Sequence, residues 1–275
     1  MQIKEFIFNG HNATVVIPDD PNGEWIWKTE FFHAFEKSEL ALSEMGYTRV
    51  YYGISDKYGS YEAVRLMHKF CLHVIKEFNL RDKAHLFGFS RGGLYAFNFA
   101  LFYPENAASL YLDAPVLDVN SWPPKGSREY AQMCREFCLS DDMVKGFNGS
   151  PLHNLPEFFG NNIPLLVVAG DSDEIVPLEE NSAVLLDYCK ENGINVKSII
   201  KEGCGHHPHS LDDVSIICEF VKGNSLPSQT ELEMVKEMLE SHENLLKTDP
   251  EYKEKWEKAL KSSKRLGAFH DKTPE

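Results

Sequence analysis

Gly88-Phe89-Ser90-Arg91-Gly92-Gly93 decides the fold of this chain. The stretch follows Ala84-His85-Leu86-Phe87, an apolar run that reads as a buried strand. It precedes Leu94-Tyr95-Ala96-Phe97-Asn98-Phe99-Ala100, which reads as a packed helix. A strand, then G-x-S-x-G, then a helix is the context of a nucleophile elbow. Its sharp turn holds the serine in a strained conformation with the hydroxyl projecting from the sheet. Glycines two before and two after remove Cβ atoms that would collide as strand and helix converge. The helix N-terminus points backbone N–H groups at the place where an oxyanion would form. Ser90 is therefore the candidate nucleophile.

Outward from the elbow, strands and helices alternate. Ile3–Phe8 and Ala13–Ile17, separated by Asn9-Gly10-His11-Asn12, give a hairpin signal. A polar loop with Pro18, Pro21 and Gly23 follows, and Thr29–Met45 has helical periodicity. Arg49–Tyr52 reads as a strand, Tyr61–Phe78 as a helix and Ala108–Leu112 as a strand ending at Asp113. Residues 116–160 break the rhythm with glycines and prolines, the pattern of a helical lid insert or pocket wall. Regularity returns with strands at Pro164–Val168 and Val196–Ile200 and helices at Glu179–Glu191 and Asp212–Val221. The alternation predicts a doubly wound, mainly parallel sheet. Residues 1–223 are read as the catalytic domain and 224–275 as a helical C-terminal extension. In that extension Leu232, Val235, Leu239, His242 and Leu246 share a helix face, and Asp249-Pro250-Glu251 starts a second helix.

The bulk properties bound the function. The 275 residues are 43% hydrophobic and 25% charged, with a formal net charge of -14. That composition suits a globular protein with a sizeable core. The acidic balance argues against a nucleic-acid partner, because phosphate binding needs a basic face. The six cysteines lack a metal-site spacing and read as free thiols. No apolar run reaches about 18 residues, so no membrane span is expected. No signal peptide is visible at Met1-Gln2-Ile3-Lys4-Glu5, which gives a cytoplasmic expectation; a trimmed signal would leave the same picture.

A serine hydroxyl needs a base. After the strand Leu165-Leu166-Val167-Val168-Ala169 comes Gly170-Asp171-Ser172-Asp173, continuing to Val176-Pro177. After Val196–Ile200 comes Gly203-Cys204-Gly205-His206-His207-Pro208-His209. An acid loop and then a histidine loop at consecutive strand ends is the order Ser, Asp, His. The chain thus resembles the α/β-hydrolase superfamily over about residues 1–223. The resemblance implies an α/β-hydrolase fold. It also implies Asp173 as the acid, from the G-x-x-D-x-x-V-P pattern, and His206, after Gly205, as the base. Asp171 is the rival acid and otherwise caps the turn. Asp113 is a reserve acid, or a turn or substrate-contact residue. Three histidines and Cys204 within six positions also invite a metal reading. No second ligand cluster accompanies them, so no metal and no cofactor is invoked.

The superfamily places one oxyanion donor on the residue after the nucleophile, here Arg91. The second comes from the loop after the third strand. Pro18–Lys28 stands there, with Pro18-Asp19 where many members carry His-Gly, and Trp25 is the expected donor. Trp25-Ile26-Trp27, Glu30-Phe31-Phe32, Ser90-Arg91-Gly92-Gly93, Ser121-Trp122-Pro123 and Gly205-His206-His207-Pro208-His209 resemble a bacterial group of carbohydrate-esterase-like α/β hydrolases. The resemblance implies a serine esterase acting on an oligosaccharide or other small-molecule ester. Trp27 and Trp122 are read as stacking surfaces for a sugar ring, with core packing as the alternative. His207 and His209 are read as ordering their loop by hydrogen bonding or lining the pocket. Two other readings stand: a prolyl-oligopeptidase-like peptidase, ranked second because no propeller precedes the catalytic body, and an inactive binding protein. The sequence leaves acyl group, alcohol and oligomeric state open.

Overall fold

The computed structural model describes residues 1–225 and 229–265. By contacts the chain forms two compact units, Met1–Ser225 and Leu226–Glu275.

Among the described residues, eight strands form one sheet. They are β1 (Gln2–Phe8), β2 (His11–Ile17), β3 (Trp25–Lys28), β4 (Thr48–Tyr52), β5 (Ala84–Phe89), β6 (Ala107–Asp113), β7 (Leu165–Gly170) and β8 (Lys197–Lys201). Their order is β1-β2-β4-β3-β5-β6-β7-β8, with β1, β2 and β4 paired antiparallel and the rest parallel. In β5, β6 and β7 successive residues face opposite sides of the sheet, and both sides are buried. Leu86, Leu110, Leu112 and Val167 pack with α2 (Tyr61–Phe78), α3 (Gly92–Phe102) and α7 (Ser182–Glu191). Phe87, Phe89, Tyr111, Leu166 and Val168 pack with α1 (Lys37–Glu44) and α8 (Ser215–Gly223). Helices therefore cover both faces, which gives the doubly wound architecture.

The segment between β6 and β7 carries three short helices, α4 (Arg128–Glu136), α5 (Asp141–Val144) and α6 (Leu155–Gly160). It is tied to the body at α4. Glu136 accepts from Ser60 Oγ at 2.6 Å, and Gln132 accepts from the Tyr58 hydroxyl at 3.0 Å.

Two sequence expectations change here. Trp25-Ile26-Trp27-Lys28 is a strand, not a loop, and is buried along its whole length. A strand covered on both faces shows no apolar–polar alternation, so its short W-I-W-K pattern gives no strand signal. Trp25 and Trp27 point to the α2/α3 face, where Trp27 meets Phe70 and Phe99 edge-on. Second, Thr29–Met45 is not one helix. Phe31 and Phe35 take left-handed φ values of 56° and 53°, so residues 29–36 are a loop and the helix begins at Lys37.

All six cysteines are free thiols. Burial pushes the Cys71 thiol up to about 12, so it is a packing residue rather than a nucleophile.

The second unit is a helical pair, α9 (Gln229–Thr248) and α10 (Pro250–Arg265). Asp249 caps α10 by accepting from the N–H groups of Glu251 and Tyr252, both at 3.0 Å. His242 contacts both Tyr252 and Trp256 across the pair. The side chains of Leu232 and Val235, expected on the same face, lie outside the described residues. No helix among the described residues is long and apolar enough to cross a membrane.

Candidate active site

The carboxyl ends of β3, β5, β6, β7 and β8 carry the loops that build the site. The first is the turn from β5 into α3. Ser90 has φ 50°, a left-handed value that costs a non-glycine residue about 1 kcal/mol or more. Backbone contacts hold it there. The Ser90 N–H donates to Asp113 O at 3.0 Å, and Ser90 O accepts from Val116 N at 2.8 Å. Gly92 is required by a close approach that the motif alone does not reveal. A Cβ there would lie 2.9 Å from Thr29 Oγ1 and 3.2 Å from Glu30 Cβ, so the loop after β3 packs directly on the elbow.

The loops after β7 and β8 are equally close. A Cβ on Gly170 would lie 2.1 Å from Cys204 O. Asp171 is exposed and spans the two loops by accepting from the Gly203 N–H at 2.8 Å. Asp173 is buried. Its Oδ1 accepts from the N–H groups of Ile175 and Val176, both at 2.9 Å, which fixes the carboxylate. Its Oδ2 faces His206 Nδ1 at 2.7 Å. His206 Nε2 lies 3.0 Å from Ser90 Oγ. Carboxylate, imidazole and hydroxyl thus form one hydrogen-bonded line, each member buried. A line of this kind can pass the hydroxyl proton to the imidazole while the carboxylate holds the other ring N–H.

The loop after β3 packs on the elbow beside this line. Thr29 is fixed by its N–H on Phe87 O at 3.0 Å and by its hydroxyl on Gly92 O at 2.9 Å. Glu30 Oε2 accepts from Arg91 Nη2 at 3.0 Å, Arg91 Nε at 3.2 Å and Ser55 Oγ at 3.0 Å. Burial pushes the Glu30 carboxyl above its ordinary value, and Arg91 partly opposes this. Lys28, buried at the end of β3, pairs with Glu39 at 2.5 Å and also donates to Ala34 O. Burial lowers the Lys28 pKa despite Glu39. Phe31, Phe35 and Ile175 are exposed on the loops after β3 and β7, and Phe35 stacks on the exposed His207 ring at 5.5 Å.

Of the residues expected at the site, Ser90, Asp173, His206 and Arg91 meet here. Trp25 does not. It lies at the amino end of β3, away from the elbow, with its indole N–H on Arg81 O at 2.9 Å, so it is not an oxyanion donor. Trp27 is a core residue, 1% exposed, and presents no open face on which a sugar ring could stack. Asp113 is fully buried, accepts from His209, Ser210 and Tyr111, and is therefore not a substrate contact. Trp122 is partly buried and packs against the core near Tyr58, with a ring separation of 6.2 Å. Glu30 and His209 carry much of the local geometry. The signal for Glu30 is an acidic residue inside the aromatic run Trp25–Phe35; His209 is expected from its sequence to order the loop by hydrogen bonding, and its partner is Asp113.

His206, His207 and His209 have ligand atoms within 4.8 Å of one another. Both ring nitrogens of His206 are engaged by Asp173 and Ser90, and one of His209 by Asp113. A cation held by all three would have to displace one of these partners.

The sequence profile of the prolyl oligopeptidase family matches residues 51–224. A search among curated proteins returns no match. Among solved structures, the chain is similar to dipeptidyl peptidase 4 of Porphyromonas gingivalis, at 14% identity and a TM-score of 0.62. That match covers 82% of this chain and 35% of that one. It is similar to a puromycin-hydrolyzing peptidase of Mycobacterium tuberculosis, at 11% identity and a TM-score of 0.62, over 80% of this chain and 38% of that one. It is also similar to an S-formylglutathione hydrolase from Agrobacterium tumefaciens, at 15% identity and a TM-score of 0.55, over 80% of this chain and 91% of that one. The chain thus spans little more than a third of the length of the two peptidases. At these identities the likeness establishes the fold, which is that of the α/β hydrolases.

Proposed function

The chain belongs to the prolyl oligopeptidase family, and from that membership and the site geometry we infer that it cleaves acyl groups through a Ser90 acyl-enzyme. It is a serine hydrolase of the α/β-hydrolase type. The observation that carries the mechanism is the line from Asp173 through His206 to Ser90, at 2.7 and 3.0 Å. His206 takes the Ser90 proton as the oxygen attacks the substrate carbonyl, and returns it to the leaving group. Water then enters by the same route and frees the acid. Asp173 holds the imidazole tautomer and stabilises the imidazolium. The oxyanion is received by the Arg91 N–H at the start of α3. The second donor we assign to the Phe31 N–H, which replaces Trp25. Phe31 lies in the loop after β3, and that loop is pinned to the elbow by Glu30 and Arg91.

We read the substrate as a carboxylic ester on a carbohydrate. Support comes from the resemblance of the motif words and from the exposed Phe31, Phe35 and His207, whose rings suit a sugar or aryl group. Peptide hydrolysis is the second reading, and the family match favours it. Parallel assays separate them: p-nitrophenyl esters, acetylated and feruloylated oligosaccharides, and a panel of proline-linked amides. Turnover of the saccharide esters with no cleavage of the amides supports the first reading. The reverse result supports the second.

A further inference from the structure

Behind the catalytic line lies a second Asp–His pair that no step of the mechanism uses. Asp113 ends β6 and is 0% exposed. Its Oδ1 accepts from His209 Nδ1 at 2.8 Å. Its Oδ2 accepts from the Ser210 N–H at 2.8 Å and from the Tyr111 hydroxyl at 2.6 Å. Its own carbonyl accepts the Ser90 N–H at 3.0 Å. One residue therefore grips both halves of the site. It holds the nucleophile by its backbone and the histidine loop by its side chain.

The grip reaches His206 directly. The His209 ring meets the His206 ring edge-to-face at 4.9 Å, and Phe89 and Phe35 hold it from other sides at 5.4 and 5.2 Å. Lys201 closes the same loop by donating to Pro208 O at 2.6 Å and Ser210 O at 3.3 Å. Burial pushes the Tyr111 phenol well above its ordinary value, with the charge of Asp113 adding to the shift, so the phenol remains a donor to the carboxylate. A carboxylate buried this completely is tolerated because donors surround it. Removing a donor loosens the loop that carries His206.

We propose that Asp113 and His209 are positioning residues that set the distance between His206 and Ser90. The inference rests on the Ser90–His206–Asp173 reading. A shift of about 1 Å in such geometry costs on the order of 100-fold in rate. The pair acts on the chemical step; because the His209 ring also packs on Phe35, the separation from substrate contacts is read on Asp113→Asn, which keeps that ring.

The test compares His209→Leu and Asp113→Asn, which break the pair, with His209→Asn, whose amide N–H still reaches Asp113. Thermal melting selects the folded variants, and Asp113→Asn carries the test where His209→Leu does not fold. The pair-breaking variants should lose about 10- to 100-fold in kcat and label more slowly with a fluorophosphonate, and Asp113→Asn should keep KM within about threefold. His209→Asn, which keeps the hydrogen bond and lacks the ring, should recover part of the loss. A folded pair-breaking variant with parental kcat and labelling rate overturns the proposal. So does a His209→Asn variant as slow as His209→Leu. Failure of the parent protein to label at Ser90 would instead overturn the triad on which the proposal rests.

Discussion

Glu30 Oε2 lies 3.0 Å from Nη2 of Arg91, the residue that follows Ser90, and this contact fastens the loop after β3 to the elbow. The Glu30 side chain is 2% exposed and that of Arg91 23%. Removing the cation would strand a buried carboxylate. Arg91→Leu should therefore lower stability by about 2–3 kcal/mol, below the usual range for a fully buried pair because the guanidinium is partly solvated. Arg91→Lys should restore part of this but not the two-point contact. Urea unfolding of the three proteins checks the order.

The same carboxyl gives a pH signature. Burial raises the Glu30 pKa above its ordinary 4.5 in the folded protein. The folded state then binds this proton more tightly than the unfolded chain does. The contribution to stability is fully present below the unfolded value and is lost as pH rises through the folded one. Glu30→Gln removes the titration. The melting temperature of the parent relative to this variant should therefore climb as pH falls from neutrality towards about 4.5 and then level off. A difference that shrinks over that range contradicts the assignment.

Lys28 and Glu39 are both 1% exposed and paired at 2.5 Å. Lys28→Met alone should cost about 3–5 kcal/mol, because Glu39 is left charged and buried. Lys28→Met with Glu39→Leu should recover most of that loss. Denaturant titrations of the two single variants and the double close the cycle.

Asp173→Asn and Asp171→Asn should separate sharply. Asp173 faces His206, whereas Asp171 accepts from Gly203 and Ser172 on the exposed side of the loop. The first change should reduce kcat on the order of 10⁴-fold by favouring the wrong histidine tautomer. The second should act mainly on stability. Steady-state rates and thermal melts of both variants decide the point.

How much of this was legible in the sequence follows from where the information sits. The elbow is local: strand, strained serine and helix are contiguous, so Ser90 and its φ of 50° could be anticipated from six residues. The acid and histidine loops were legible because each follows an apolar strand run. The loop after β3 was not. Phe31, Phe32 and Phe35 have helix-like spacing, yet two of them adopt left-handed φ and only Phe32 is buried. Trp25 and Trp27 look like pocket aromatics until β3 is placed between β4 and β5, which buries them. Two partners of Asp113, His209 and Ser210, lie 96 and 97 residues away along the chain, so only the folded sheet brings them together.

Chelation bears on the three-histidine cluster. Because Ser90 and Asp173 occupy both nitrogens of His206, turnover should be unchanged after dialysis against a chelator. His207→Ala should alter KM more than kcat, since His207 is exposed and stacks on Phe35 at the rim. Activity lost on chelation and restored by zinc would replace the triad with a metal mechanism.

The most direct measurement is the site of covalent capture. The parent protein, treated with a fluorophosphonate probe and digested, should carry a single adduct on the peptide containing Ser90. Ser90→Ala should remain folded, carry no adduct and lose ester hydrolysis, and His206→Ala should label far more slowly. An adduct on another residue, or equal labelling and turnover in Ser90→Ala, would contradict the assignment of Ser90 as the nucleophile.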